Sequence, residues 1–130
     1  SLGDGLPERD LVLSPNHRML IQSHRAALLF AENEVLAPAK HMVGTAGITQ
    51  ADVSGVTYVH IMFERHEVVL SDGVWSESFQ PGDHSLGGLA QNQRDEIFTL
   101  FPELKTTAGV EGYQAARKSL KKHEARLLLR

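Results

Sequence analysis

Short apolar runs recur through the N-terminal two-thirds of the chain, and most have the length of a β-strand. Pro38 interrupts one of them and cannot donate to a strand ladder, so that run is predicted to be an edge strand or a broken one. The first candidate strands are Leu11–Leu13, Arg18–Ile21, Ala26–Phe30 and Val35–Val43.

The clearest predicted strand is Val56–Phe63, with the sequence VTYVHIMF. Alternate residues of a strand point to opposite faces of the sheet, and here both faces are largely apolar. The pattern therefore predicts a strand that is buried on both sides. His60 lies on this strand and is predicted to be a core histidine whose hydrogen bonds are satisfied.

A β-hairpin is predicted next, with strands at His66–Leu70 and Val74–Phe79. Between them lies Ser71-Asp72-Gly73. Asp-Gly is typical of the type I′ turn, in which both central residues have positive φ. We expect a long, bent hairpin.

Helical patterns replace the strand patterns after residue 82. Leu89–Leu100 is predicted to be a helix that ends before Pro102, and a second helical segment is predicted to start at Gly109. This second segment places four apolar residues near one face: Tyr113, Ala116, Leu120 and Leu127.

These elements predict a mainly β fold with a helical C-terminal tail. Residues 1–82 form the predicted β domain, and residues 83–130 form a tail of helix and loop. Because the tail is too small to bury a core alone, we expect it to pack on the β domain.

Composition excludes several classes of protein. The chain has 130 residues and a net charge of -3, which disfavours a nucleic-acid partner. It has no Cys, which excludes disulfides, cysteine-based zinc sites and a thiol nucleophile within the chain. No apolar run approaches the roughly 18 residues of a bilayer span, so no membrane partner is expected, and no metal or organic cofactor is implied.

Five longer motifs carry a resemblance that covers most of the chain. They are LVLSPNHRMLI (Leu11–Ile21), EVLAPAKHMV (Glu34–Val43), VTYVHIMFERHEVVLSDGVWSESFQPG (Val56–Gly82), LFPEL (Leu100–Leu104) and ARKSLKKHEARLLL (Ala116–Leu129). Together they resemble the bacterial Hint domains of the hedgehog/intein superfamily, in the branch called Hint type 2. This resemblance implies a fold of long, bent β-hairpins.

The resemblance also implies that the domain processes its own backbone. In such domains a Cys or Ser at the first position attacks the preceding carbonyl in an N-to-S or N-to-O acyl shift, and a Thr-x-x-His motif assists. Here Ser14-Pro15-Asn16-His17 falls where that motif lies. His17 is the implied general acid and base, and Ser14 the implied partner of the scissile carbonyl. Without the resemblance, the same four residues are better explained as a simple turn.

Two further site residues follow from the resemblance. His66 falls at the position before the last hairpin where inteins often carry a histidine. Glu77-Ser78 replaces the intein His-Asn pair, and Glu77 is the candidate carboxylate there. Because Ser78 cannot cyclise to a succinimide as Asn does, cleavage or attack by an external nucleophile is expected in place of splicing.

The resemblance places this chain as the C-terminal part of the domain, with the nucleophile expected before Leu6. The chain alone is therefore expected not to be competent, and its substrate is its own N-terminal polypeptide. The alternative is a non-catalytic β scaffold that serves partner binding or secretion of the parent protein. Unpaired strand edges lead us to expect a homodimer. A bacterial origin is implied, and cytoplasmic and exported locations both stay open.

Overall fold

The structure is a computed structural model that describes residues 4–45 and 47–129. The chain divides into two compact units. The first consists of Ser1–Val59, Val68–Glu77 and Arg117–Arg130, and the second consists of His60–Glu67 and Ser78–Ala116.

A five-stranded mixed sheet forms the frame of the first unit. The strands in chain order are β1 (Arg18–Gln22), β2 (Glu34–Pro38), β3 (Val68–Ser71), β4 (Val74–Glu77) and β5 (Lys118–Ser119). Their order across the sheet is β3-β4-β1-β2-β5, and only the β2–β5 pair is parallel. Helices make up about a third of the chain, so the predicted sheet-based fold is supported in part.

Two short helices of the first unit, α1 (His24–Phe30) and α5 (Lys122–Leu128), contribute apolar side chains to one buried cluster with the sheet. Removing apolar surface from water is the main favourable term in such packing. The fully or nearly fully buried members of the cluster are Met19, Ala26, Val35, Ala37, Met42, Val74, Leu120, Ala125 and Leu128.

The predicted strand Ala26–Phe30 is wrong, because this stretch lies in α1. Ser23 caps the helix, its Oγ accepting from the backbone N–H of Arg25 at 3.1 Å, and Ala31 ends it in the left-handed region with φ 58°. Ala and Leu are strong helix formers, and together with this cap they outweigh the strand-like run of apolar residues.

The predicted hairpin is confirmed at its turn. Asp72 and Gly73 both have positive φ, 48° and 80°, as a type I′ turn requires. Each strand has four residues, so the hairpin is shorter than expected. The backbone N–H of Glu8 donates to the Asp72 carbonyl at 2.8 Å, and Arg9 forms a 2.8 Å ion pair with the Asp72 carboxylate.

The predicted buried strand Val56–Phe63 is also wrong. Nearly all of its residues are exposed, and Val59 is 83% exposed. No strand among residues 4–45 and 47–129 pairs with it, and without a neighbour an apolar alternation cannot form a sheet. His60 is exposed rather than in the core, and its ring lies 4.7 Å from that of Phe79.

Two smaller strand predictions also differ from the structure. Leu11–Leu13 has no regular secondary structure. The run Val35–Val43 is broken at Pro38, as predicted, because β2 ends there and a 3-10 helix, Ala39–His41, follows. β2 is nevertheless not an edge strand, since β1 and β5 flank it.

The second unit is largely helical. Its helices are α2 (Asp83–Gly87), α3 (Gln91–Leu100), a 3-10 helix (Pro102–Lys105) and α4 (Thr107–Gly112). The prediction of a helix within Leu89–Leu100 is confirmed by α3.

The second predicted helical segment is divided, because β5 separates α4 from α5. Tyr113 and Leu120 are buried as expected, whereas Leu127 is 41% exposed. Among the described residues, no helix combines the length and apolar character that crossing a membrane requires.

Candidate functional site

Ser14, Pro15, Asn16 and His17 form a tight turn directly before β1. The backbone N–H of His17 donates to the Ser14 carbonyl at 3.1 Å, and Pro15 supplies the fixed φ that the second position of such a turn favours. Ser14 and His17 are half-buried, whereas the two residues between them are exposed. The turn therefore brings the predicted hydroxyl and imidazole to the same place in the fold.

Two further hydrogen bonds anchor this turn to the segment after β2. The backbone N–H of Ala39 donates to the His17 carbonyl at 2.8 Å, and that of Lys40 donates to the Pro15 carbonyl at 2.9 Å. Since Arg18 pairs with Pro38 in the sheet, these bonds continue the β1–β2 ladder into the turn. The segment after β2 thus holds the backbone of the turn at both Pro15 and His17.

Glu77 lies at the end of β4 and contacts the residue that follows His17. Its Oε1 accepts from the backbone N–H of Arg18 at 3.0 Å, and its Oε2 accepts from the Arg18 Nε at 2.8 Å. The guanidinium Nη2 of Arg18 lies 2.7 Å from the same Oε2, and both side chains are largely buried. The structure therefore brings Glu77 within one residue of His17, with both carboxylate oxygens engaged by Arg18.

Ser78 is nearly fully buried and pairs with Glu67 through both its backbone and its side chain. Its N–H donates to the Glu67 carbonyl at 2.8 Å, and its Oγ accepts from the Glu67 N–H at 2.9 Å. The hydroxyl therefore satisfies the backbone N–H of Glu67 in a partly buried hydrogen bond.

His66 belongs to the second unit, whereas Ser14, His17 and Glu77 belong to the first. His66 is buried, and its Nδ1 accepts from the backbone N–H of Ala116 at 2.8 Å. An accepting Nδ1 assigns the proton of the neutral ring to Nε2. His66 also lines a cavity of about 550 Å³ together with Tyr113 and Glu103.

Tyr113 and His41 are titratable residues with perturbed pKa values that the sequence analysis did not single out. Burial raises the pKa of the Tyr113 hydroxyl, and Glu67 raises it further. Burial also lowers the pKa of His41, and the cations of Lys40 and Lys122 lower it further. His41 directly follows Lys40, which is bonded to the Ser14–His17 turn, but its isolated position in the sequence carries no signal of this environment.

Arg18 was also missed, although it directly follows the Ser-x-x-His motif. The only available signal was that adjacency, because its partner Glu77 lies 59 residues away. Among the side chains that the structure describes, which leave out those of residues 1–3, 46, 83, 84 and 130, no three His, Asp or Glu residues converge in a way that could hold a metal ion.

Comparison with known proteins gives one match. A family model described as the Hint domain matches residues 1–83. No curated protein and no solved structure matches the chain. The matched range includes Ser14, His17, Arg18, His66 and Glu77, and covers more than half of the 130 residues.

Proposed function

The chain belongs to the Hint domain family, and we propose that it is part of an autoprocessing domain that cleaves its own polypeptide backbone. The substrate is the N-terminal polypeptide. The nucleophile is proposed to lie before Leu6 and to attack the carbonyl that precedes it. A C–O or C–S bond forms, the C–N bond breaks, and the proton of the nucleophile passes to the departing amine. Water or an external thiol then cleaves the ester or thioester.

The observation that carries this proposal is the anchored Ser14–His17 turn. An amide is a poor electrophile, and its nitrogen leaves only when it is protonated. His17 is the group we assign to that proton transfer. The Ser14 hydroxyl is assigned to donate a hydrogen bond to the scissile carbonyl oxygen, where negative charge develops.

A fixed turn suits this chemistry because proton transfer needs the donor within hydrogen-bond distance of the reacting atom. Three backbone hydrogen bonds of 2.8–3.1 Å hold the turn: one closes it, and two join it to Ala39 and Lys40. Ser14 and His17 are both half-buried, and the Nε2 atom of His17 is itself buried.

Cleavage is favoured over splicing by the environment of Ser78. Splicing in the intein manner needs an Asn whose side-chain nitrogen attacks its own carbonyl. Ser78 has no such nitrogen, and its hydroxyl is bonded to the Glu67 N–H. The acyl group is therefore proposed to go to an external nucleophile.

The second candidate function is a non-catalytic β scaffold that serves partner binding or secretion of the parent protein. It is favoured by the exposed apolar side chains of Val56, Tyr58 and Val59 in the first unit, because exposed strand-like segments are templates for pairing with another chain. A homodimer is the expected form of such a scaffold, and light scattering of the chain measures it.

The test is the intact mass of the complete gene product, incubated with and without a thiol, beside its His17→Ala variant. His24→Ala is the matched control, because His24 is exposed at the start of α1. Autoprocessing predicts thiol-promoted cleavage upstream of Leu6 that is lost in His17→Ala and kept in His24→Ala. One uncleaved mass under every condition would overturn autoprocessing and leave the scaffold.

A further inference from the structure

We infer that Arg18 and Glu77 are positioning residues that hold His17 in its reactive place, an inference that rests on the proposed function. Glu77 then serves to fix the backbone next to the imidazole, and it does not itself transfer a proton. Arg18 gains a role that neither its residue type nor the family motif assigns.

The first support is where the Glu77 carboxylate binds. Oε1 accepts from the backbone N–H of Arg18 at 3.0 Å, and this N–H belongs to the peptide bond between His17 and Arg18. Holding that peptide plane restricts ψ of His17 and φ of Arg18. The carboxylate therefore acts on the backbone that carries the imidazole.

The second support is that two nitrogens of the arginine side chain contact one carboxylate oxygen. Oε2 accepts from Nε at 2.8 Å and lies 2.7 Å from Nη2. An arginine places its donors in a rigid plane, so it binds a carboxylate in a defined orientation. The guanidinium thus orients the same carboxylate that holds the Arg18 N–H.

The third support is the burial of the pair. The Arg18 and Glu77 side chains are 16% and 10% exposed, whereas those of Arg117 and Glu34, which form an ion pair of the same 2.7 Å length, are 42% and 30% exposed. Water screens an exposed pair and weakens it. The buried pair therefore holds its geometry more firmly.

The fourth support is the register of the sheet. Met19 is paired with Ser76 in the antiparallel β1–β4 ladder, so Arg18 and Glu77 lie opposite each other, one position further along. At that position the Arg18 N–H bonds to the Glu77 side chain. The Glu77 side chain thus continues the hydrogen bonding between β4 and β1 up to the end of the Ser14–His17 turn.

The test measures thiol-promoted cleavage in the complete gene product carrying Glu77→Gln or Arg18→Lys. We expect both to slow cleavage by about ten- to a hundredfold, since a displacement of about 1 Å has an effect of that size. Glu34→Gln, in the more exposed ion pair, is the matched control and should stay within about twofold. Rates equal to the unmodified protein in both variants would overturn the inference.

The pH profile separates positioning from proton transfer. If Glu77 only positions His17, Glu77→Gln lowers the rate at every pH and leaves the shape of the profile unchanged. Loss of one limb of the profile would show that Glu77 transfers a proton and would overturn the positioning role.

A charge swap, Arg18→Glu with Glu77→Arg, separates positioning from stability. It restores an ion pair, but an arginine at position 77 cannot accept from the backbone N–H of residue 18. We expect recovery of the unfolding midpoint without recovery of cleavage. Recovery of both would overturn the backbone role of Glu77.

Amide hydrogen exchange in the 130-residue chain tests the hydrogen bond from the Arg18 N–H to the Glu77 carboxylate, here called the clamp, without any cleavage. The Arg18 N–H should be protected in the unmodified chain and should exchange faster in Glu77→Ala, while the Met19 N–H reports whether β1 stays folded. Protection at Arg18 with no cleavage of the gene product would mean that the proposed function fails although the clamp exists. An unprotected Arg18 N–H in a folded chain would overturn the clamp itself.

Discussion

The Tyr113 hydroxyl donates a 2.6 Å hydrogen bond to the carbonyl oxygen of Phe63. Through its own backbone carbonyl, Tyr113 also accepts from the Gln80 side-chain amide at 3.1 Å. One buried residue thus contacts both segments of the second unit, which are also joined by backbone hydrogen bonds from Ser78 to Glu67 and from Phe79 to Ile61.

Tyr113→Phe is expected to destabilise the protein by about 1 kcal/mol, because it leaves the Phe63 carbonyl without this donor. The measurement is the free energy of unfolding in urea. Tyr58→Phe is the control, since Tyr58 is half exposed and should change stability by less than about 0.5 kcal/mol. Equal effects of the two substitutions would contradict the structural role of the hydroxyl.

The raised pKa of Tyr113 predicts a loss of stability in alkali. Burial, and to a lesser degree Glu67, favours the protonated hydroxyl in the folded state. Its contribution to stability is therefore complete below the unfolded pKa of 10 and is lost as the pH rises through the higher folded pKa. Unfolding midpoints measured from pH 8 to 12 should fall more steeply for the unmodified chain than for Tyr113→Phe.

The lowered pKa of His41 predicts the opposite dependence, in mild acid. Burial, Lys40, Lys122 and Arg126 disfavour the charged imidazole in the folded state. The unfolded chain then binds more protons, so the stability present above the unfolded pKa of 6.5 is lost as the pH falls towards the lower folded pKa.

His41→Gln should flatten that part of the stability curve, which unfolding midpoints between pH 7.5 and 5 will show. His24→Gln serves as the control, because His24 is exposed. If both variants follow the pH dependence of the unmodified chain, His41 does not cause it.

Gly73→Ala is expected to destabilise the hairpin turn. Gly73 has φ +80°, and a Cβ there would lie 2.7 Å from the Leu6 Cδ2. A backbone strain of this kind costs about 1–3 kcal/mol, and Leu6 has to move in addition. Gly55→Ala is the matched control, since a Cβ there meets nothing within 4 Å. Thermal unfolding of the two variants checks the difference, and a Gly73→Ala midpoint equal to that of the control would contradict the described packing.

Ser23→Ala should weaken α1, because the Ser23 Oγ accepts from the Arg25 N–H at 3.1 Å. Loss of an N-cap costs about 1 kcal/mol. Ser54→Ala, in an exposed stretch without regular structure, is the control. Urea unfolding followed by circular dichroism at 222 nm measures both, and no difference between them would show that the cap is dispensable.

Local chemistry explains the predictions that succeeded. The hairpin turn depends on two residues that tolerate positive φ, and the α3 helix ends just before Pro102. The Ser14–His17 turn likewise depends on Pro15 and on one backbone bond. Signals of this kind act over a few residues, so the sequence alone contains them.

The predictions that failed depended on neighbours. Ala26–Phe30 has the length of a strand, yet the N-cap at Ser23 and the helix-forming Ala and Leu residues favour the helix α1. Val56–Phe63 has a strand pattern on both faces, yet no described strand pairs with it, so its side chains are exposed. A strand is stable only with a partner that takes its hydrogen bonds, and the pattern of one segment does not specify that partner.

By itself, the sequence determined the family, the hairpin turn, the main helix of the second unit and the residues of the Ser14–His17 turn. Only the tertiary structure decided that Glu77 meets Arg18, 59 residues apart, and that His66 accepts from the Ala116 N–H, 50 residues away. The reason is physical. Turns and helices close their hydrogen bonds within a few residues, whereas a contact between distant residues depends on how the whole unit packs.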